Sequence, residues 1–223
     1  MHDNLIEVRN VYKRFLFVDV LKGISFNISR DEHTLLLGPN GSGKSTLIKV
    51  LAGLLKPNRG SVKVLGVDPF KEYSKIIGKV NVLLDDYALP YWLSGYKYLE
   101  FITSVKSLDW NEVVELAKIF NVINYWHKPI FTYSSGMKKK VALIQVLVGN
   151  PKLILIDDPF TYLDRESREI LIEILREKSR RSLLVVSTHT ILGLKYICKK
   201  AILLDNGMKV AEGPIDKVVE MYS

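Results

Sequence analysis

Apolar and polar positions change period several times along this chain, and each change marks an element. Leu5 to Val11 and Val20 to Ile28 alternate or cluster β-branched residues between turn signals, which predicts a pair of antiparallel strands. Thr34-Leu35-Leu36-Leu37 is a short buried strand by its unbroken apolar character. Beyond the glycine-rich stretch that follows it, Leu47, Ile48, Val50, Leu51 and Leu54 recur at helical spacing. Gly60 to Leu65 and Val80 to Leu84 are further strand candidates. From Leu93 to about Phe120 the apolar period lengthens toward ~3.6 residues, through Tyr98, Phe101, Ile102 and Val105, then Val113, Leu116, Ala117 and Phe120. This middle third is expected to be helical. Another helix is expected from Gly136 to about Val148, stopped by Gly149-Asn150-Pro151. Strand and helix then alternate over Leu153–Ile156, Arg165–Lys178, Ser182–Ser187, Ile191–Ile197 and Lys200–Leu204.

Alternation of this kind implies an α/β fold whose mainly parallel sheet is covered by helices. We read one domain over residues 1–223. Residues 1–86 and 150–223 build the α/β core, with an N-terminal antiparallel β subdomain, and residues 87–149 form a helical insertion. A chain of 223 residues supports one substantial core, and 48% apolar with 25% charged residues is a composition that folds. No apolar run reaches the roughly 18–20 residues a membrane span needs. Met1 to Asn10 carries charges in place of a signal peptide's apolar stretch, so the chain is expected to stay in the cytoplasm. Cys198 is the only cysteine, which excludes an internal disulfide and a multi-cysteine zinc site and suits a small buried side chain. The net charge of +8 would suit nucleic acid, an anionic lipid surface or nucleotide phosphates. Charge alone does not choose among these, and the short clusters Lys138–Lys140, Arg180-Arg181 and Lys199-Lys200 also suit a solvated face.

Candidate chemistry begins between the buried strand and the first helix. Gly38-Pro39-Asn40-Gly41-Ser42-Gly43-Lys44-Ser45-Thr46 contains G-x-x-x-x-G-K-[ST]. Its glycines let backbone N–H groups curl around phosphates, and the following helix N-terminus adds favourable partial charge. Lys44 would reach the β- and γ-phosphates, Ser45 would offer a hydroxyl to magnesium, and Thr46 a further hydroxyl or N–H to the phosphates. A phosphate loop by itself does not separate a small-molecule kinase, a GTPase and a transport ATPase.

Taken with Tyr133-Ser134-Ser135-Gly136-Met137, Asp157-Asp158-Pro159 and Ser187-Thr188-His189, this loop resembles the nucleotide-binding subunit of ABC transporters. The resemblance covers nearly the whole chain in the family's order. It implies a P-loop NTPase core that binds ATP and Mg2+ between two subunits packed head to tail, of like or unlike chains. It further implies that Ser134, Ser135 and Gly136 face the γ-phosphate held by the other subunit, with the Ser134 hydroxyl and Gly136 N–H as donors. By the same resemblance Asp157 holds magnesium, His189 contacts the γ-phosphate and the attacking water, and Asp164 communicates between the two sites. Phe15 stands where an aromatic ring usually stacks on adenine, with Phe17 as its substitute. Ordinary roles are also available: a helix cap for Ser134-Ser135-Gly136, Asp157 or Asp164, core packing for Phe15, and a shared structural role for the aromatic residues of the insertion.

Two positions depart from the family pattern. The glutamate that usually polarises water is here Asp158, one methylene shorter, and a misplacement of about 1 Å can cost roughly a hundredfold in rate. Ungapped alignment from Tyr87-Ala88-Leu89 to Leu93-Ser94 puts Asp85 where the magnesium-sensing glutamine is expected, with Asp86 beside it. A carboxylate remains a hard oxygen ligand for magnesium, although Asp85 also suits a surface turn. Tyr91, Trp92, Tyr96 and Tyr98 follow, in a region that in this family receives a short helix of the membrane subunit; subdomain core is the alternative.

The expected function is therefore that of an ATPase subunit driving separate transmembrane permease subunits from the inner face of the cell membrane. Tyr133 and Met137 resemble the branch that exports drugs, lipids and polysaccharides. Its rivals are a non-transport nucleotide switch and a regulatory ATP-binding partner with very slow hydrolysis. Switches of the first kind usually carry a long coiled-coil insertion or two ATPase halves, neither of which this sequence contains, so no stable nucleic-acid partner is expected.

Overall fold

A computed structural model describes residues 4–85, 88–189 and 191–222. Asp86, and with it the boundary between residues 86 and 87, lies outside the described residues. In chain order the elements are β1 (Asn4–Phe15), β2 (Val18–Ser29), β3 (Thr34–Leu37), α1 (Lys44–Leu51), β4 (Arg59–Val64) and β5 (Val80–Leu83). They continue with α2 (Gly95–Lys106), α3 (Trp110–Ile119), α4 (Ser135–Leu147), β6 (Leu153–Asp157) and α5 (Arg165–Lys178). The chain closes with β7 (Leu183–Ser187), β8 (Lys200–Asp205), β9 (Met208–Pro214) and α6 (Ile215–Tyr222).

A six-stranded sheet runs in the order β5-β6-β7-β3-β8-β9, parallel except for the β8–β9 pair. Its inner strands are buried on both faces, which explains why they read as continuous apolar runs. Alternation divides them between two cores. Leu36, Leu153, Leu155, Leu183 and Val185 pack with α1 and with Ile6, Val8, Ile24 and Val62 of an antiparallel sheet ordered β2-β1-β4. Leu35, Leu37, Ile154, Ile156, Leu184 and Val186 face the other way, onto α4, α5 and the rest of the helical side. Each such side chain contributes about 1.5–3 kcal/mol of burial, so α1 and the phosphate loop before it are held between two sheets.

The long helical stretch from Leu93 to Phe120 divides in two. Ser107 takes a left-handed conformation (φ 52°) just after the end of α2, and Asp109 accepts a hydrogen bond from Asn111 N–H to start α3. The helix expected over Ile191–Ile197 is a single 3-10 turn, Leu192–Tyr196. Gly193 within this stretch is a poor helix former, which disfavours a longer helix between β7 and β8. β9 and α6 carry no prediction in the sequence reading. β9 alternates intermediate and exposed positions at the sheet edge, so it lacks the apolar half of a strand signal.

The aromatic residues of the insertion separate into two pairs. Tyr98 is buried and Tyr96 packs edge-on against Trp110 and Trp126, whereas Tyr91 and Trp92 are exposed. A polar clasp fastens α3 to the sheet side. Lys178 Nζ donates to Glu112 Oε1 (2.7 Å) and to Gly149 O (2.8 Å), and Gly149 N–H donates to Glu112 Oε2 (2.8 Å). Removing Glu112 would strand Gly149 N–H and take from Lys178 its carboxylate, leaving it Gly149 O. Glu112→Ala is therefore expected to lower the unfolding free energy by about 1.5–3 kcal/mol, measured by urea denaturation; an unchanged midpoint would show that the clasp contributes nothing.

Candidate nucleotide site

The phosphate loop leaves β3 and enters α1 as a tight curl. Ser42 N–H donates to Pro39 O (3.2 Å), Leu47 N–H to Gly43 O (2.9 Å) and Gly207 N–H to Ser42 O (3.2 Å). Gly38 has φ 144°, and a Cβ there would stand 2.1 Å from Leu204 O, so no side chain is admitted. α1 starts at Gly43 with no side-chain cap and no acidic residue in its first turn. Its first N–H groups are left for an anion. Pro39, Asn40, Gly41 and Ser45 are exposed, Ser42 and Gly43 buried, and Thr46 half-buried.

Lys44 is buried and donates to Gly38 O (2.7 Å) and Pro39 O (2.9 Å). Burial lowers its pKa, and the nearby Asp157 and Asp158 carboxylates oppose that shift. A buried ammonium satisfied only by loop carbonyls can be drawn off by a more negative partner.

The two carboxylates stand at the end of β6, beside the ends of β7 and β3. Ser187 Oγ hydrogen-bonds Asp157 Oδ1, and Ser187 O accepts from Asp158 N–H (2.9 Å). Thr188 N–H donates to Leu36 O (3.1 Å), which ties the same strand end to the root of the phosphate loop. His189, half-exposed, places Nδ1 3.1 Å from Asp158 Oδ2. Among the described residues, three buried side-chain oxygens have no hydrogen-bond partner: Ser42 Oγ, Asp157 Oδ2 and Asp158 Oδ1. Each such oxygen costs about 1–3 kcal/mol when left unmet. All three belong to the candidate site, where a hydrated divalent cation and phosphate groups would satisfy them. No group of three or more His, Cys, Asp or Glu able to hold a metal occurs among the described residues.

A second cluster gathers at the start of α4. Ser134 caps the helix, its Oγ accepting from Met137 N–H (3.3 Å), and both Ser134 and Ser135 are exposed. A Cβ at Gly136 would stand 2.8 Å from Tyr162 O, so glycine lets the helix start close against the segment after β6. Asp164 caps α5 through Oδ1, which accepts from Ser167 N–H (2.8 Å), and pairs through Oδ2 with Lys140 Nζ (3.1 Å). Tyr133 is buried; its Oη accepts from Gly95 N–H (3.1 Å) and lies within hydrogen-bond distance of two carbonyls, anchoring the cluster to α2. Within this chain no hydrogen bond or ion pair among the described residues joins Ser134 or Gly136 to the phosphate loop.

Two further positions sit at the margins. Phe15 ends β1 at the tip of a hairpin and is 44% exposed, with Lys13 Nζ 5.1 Å from its ring centre. The hairpin reaches the loop through Val20 and Leu21, which a Cβ at Gly43 would meet. Phe17 is exposed on the same tip. Asp85 follows β5 and lies 3.7 Å from Lys139 Nζ. Lys139, within the cluster Lys138–Lys140 that suits a solvated face by sequence, is instead fully buried. The signal was the helical period: Lys139 stands three and four residues before the buried Ala142 and Leu143, on the same face of α4, so its ammonium must find a partner inside.

A family model described as "ABC transporter" matches residues 21–161. The chain is 32% identical over 208 residues to an uncharacterised ABC transporter ATP-binding protein, YhcH, of Bacillus subtilis (strain 168); the match covers 91% of this chain and 68% of that one. Its backbone is similar to a solved ATP-binding subunit of an ABC transporter (TM-score 0.86, 26% identity, covering 98% of this chain and 93% of the other). It shares its fold with a dimeric post-hydrolysis ATP-binding cassette bound to ADP and Pi (TM-score 0.85, 24% identity, covering 94% and 98%).

The cap on α5 has a pH signature. Hydrogen bonds from the Ser167 backbone and hydroxyl, with Lys140 beside them, hold the Asp164 carboxyl down at about 2, against an ordinary value of 3.8. A carboxylate with a depressed folded-state pKa stabilises above its ordinary value and loses that contribution as pH falls through the folded one. Asp164→Ala is expected to cost about 1 kcal/mol at neutral pH. Urea midpoints of both proteins should converge between pH 3.8 and about 2; a gap that does not change with pH would contradict this assignment.

Proposed function

The chain belongs to the ABC transporter family as an ATP-binding subunit, and on that premise we propose a division of labour among its residues. The observation that carries it is the set of unmet buried oxygens, on Ser42, Asp157 and Asp158, gathered beside Lys44 and the open N-terminus of α1. Residues 38–46 cradle the triphosphate of ATP through backbone N–H groups, and Lys44 moves from its loop carbonyls to the β- and γ-phosphates. Ser45, Asp157 and Asp85 are the oxygen donors for magnesium, which when bound neutralises phosphate charge. Phe15 stacks on adenine at the hairpin tip.

Asp158 orients the attacking water, with His189 holding one of its oxygens and leaving the other free toward the site. Ser134, Ser135 and Gly136 are exposed at the start of α4 and serve the nucleotide of a second ATPase subunit, packed head to tail. Asp164 lies beside them and couples the two sites. ATP binding closes this pair and hydrolysis reopens it, a cycle that drives separate permease subunits. Tyr133 and Met137 favour export. The chain is held at the inner membrane face by its permease; the described residues contain no helix long and apolar enough to cross a membrane.

A second reading, a regulatory subunit that binds ATP and hydrolyses it very slowly, is favoured by the short reach of Asp158. Equilibrium binding of a fluorescent ATP analogue and steady-state phosphate release with the permease present distinguish the two. Lys44→Ala is expected to weaken nucleotide binding by about 10- to 100-fold. Asp158→Ala should leave binding within about twofold and lower turnover about a hundredfold. Turnover in the unaltered protein no greater than in Asp158→Ala would remove the hydrolytic role and leave the regulatory one.

A further inference from the structure

Lys139 lies in the first half of α4 with its side chain fully buried, and Asp85, Asp158 and Asp157 offset part of the cost of burying its charge. Its ammonium donates to the main-chain carbonyl of Asp158 (2.9 Å) and stands 3.7 Å from the half-exposed carboxylate of Asp85. Burying an ammonium is unfavourable unless its hydrogen bonds are made. The neighbouring Val141, Ala142, Leu143 and Ile144 are buried apolar residues, so a leucine or methionine would fill this place at less expense. What the lysine adds is a donor at Asp158.

The recipient is a strained residue. Asp158 has φ 41°, a conformation that side chains other than glycine's disfavour. Its N–H is held by Ser187 O and its carbonyl by Lys139 Nζ. These two bonds clamp the peptide planes on either side of its Cα and so determine where its carboxylate points.

The next residue repeats the grip: Lys140 Nζ pairs with Asp164 Oδ2 at 3.1 Å, and Gly136 packs on Tyr162 O. Lys139, Gly136 and Lys140 of α4 thus touch the start, middle and end of the segment from Asp158 to Asp164. Its N-terminal residues are those assigned above to a second subunit's nucleotide.

We propose that Lys139 is a positioning residue, which fixes the Asp158 carboxylate to α4 so that engagement of the helix start by a neighbouring subunit is transmitted to the carboxylate of the same chain. The proposal rests on the ATPase reading, and its test separates the two.

Amide hydrogen exchange of the nucleotide-free protein is measured first, for Lys139→Met, Lys139→Gln and Lys139→Arg. Loss of the donor in Lys139→Met is expected to speed exchange tenfold or more over residues 158–164 while residues 153–157 of β6 keep their protection. Lys139→Arg should restore most of it. Steady-state phosphate release with the permease present follows: Lys139→Met should lower kcat tenfold or more with KM for ATP changed less than twofold. Lys139→Arg should recover part of kcat. If Lys139→Met does not fold, Lys139→Gln carries the same expectations, having no charge and a shorter reach. Unchanged exchange over 158–164, or loss of protection spread equally through β6, would overturn the positioning role. So would an unchanged kcat. An unaltered protein without turnover would refute the ATPase reading instead, with the exchange result still deciding whether Lys139 holds the segment.

Discussion

Ser187 joins the end of one buried strand to the Asp157 carboxylate and the Asp158 N–H of its neighbour, and the adjacent Thr188 N–H joins it to the strand that launches the phosphate loop. This short ladder sets the relative positions of Asp157, Asp158 and the loop. It is possible because β3 lies beside β7, and β7 beside β6, in one parallel sheet whose strand ends open on the same edge. Ligands of open α/β sheets bind at that edge for the same reason: the ends of parallel strands bring loops from distant parts of the chain together. Apolar burial on both faces then makes the edge rigid, so oxygens without partners stay where they are despite their desolvation.

The electrostatics follow from this rigidity. Lys44 is parked on carbonyls of its own loop, near but not paired with the two carboxylates, while Lys139 is bonded to the back of Asp158. One cation faces the place proposed for phosphate and the other faces the main chain that carries the carboxylate. The overall charge of +8 has little bearing on this local arrangement. What matters is which oxygen of each acid is already engaged: Asp157 has given one to Ser187 and Asp158 one to His189.

Much of the fold was legible because its signals are local. The parallel strands are written as apolar runs, α5 as an acid cap before an amphipathic repeat, and the phosphate loop as glycines between strand and helix. The departures have equally local causes. A single left-handed serine divides α2 from α3, and an edge strand without a buried face, β9, loses the alternation that identifies strands. Tyr96 and Tyr98 could not be told from Tyr91 and Trp92 by composition. Their difference is burial, which Trp110, Trp126 and the rest of the helical core supply.

By itself the sequence determined the set of groups available for chemistry: a curl of N–H donors with Lys44, two acids after a buried strand, and a serine–glycine helix start. Those depend on backbone preferences and periodicities that act over a few residues. Only the tertiary structure decided which groups are already satisfied and which are not. Asp157 and Ser187 are 30 positions apart, and Lys139 and Asp158 are 19 apart. Hydrogen bonding and desolvation act only at contact distance, so the state of each carboxylate was settled when the sheet and α4 packed together.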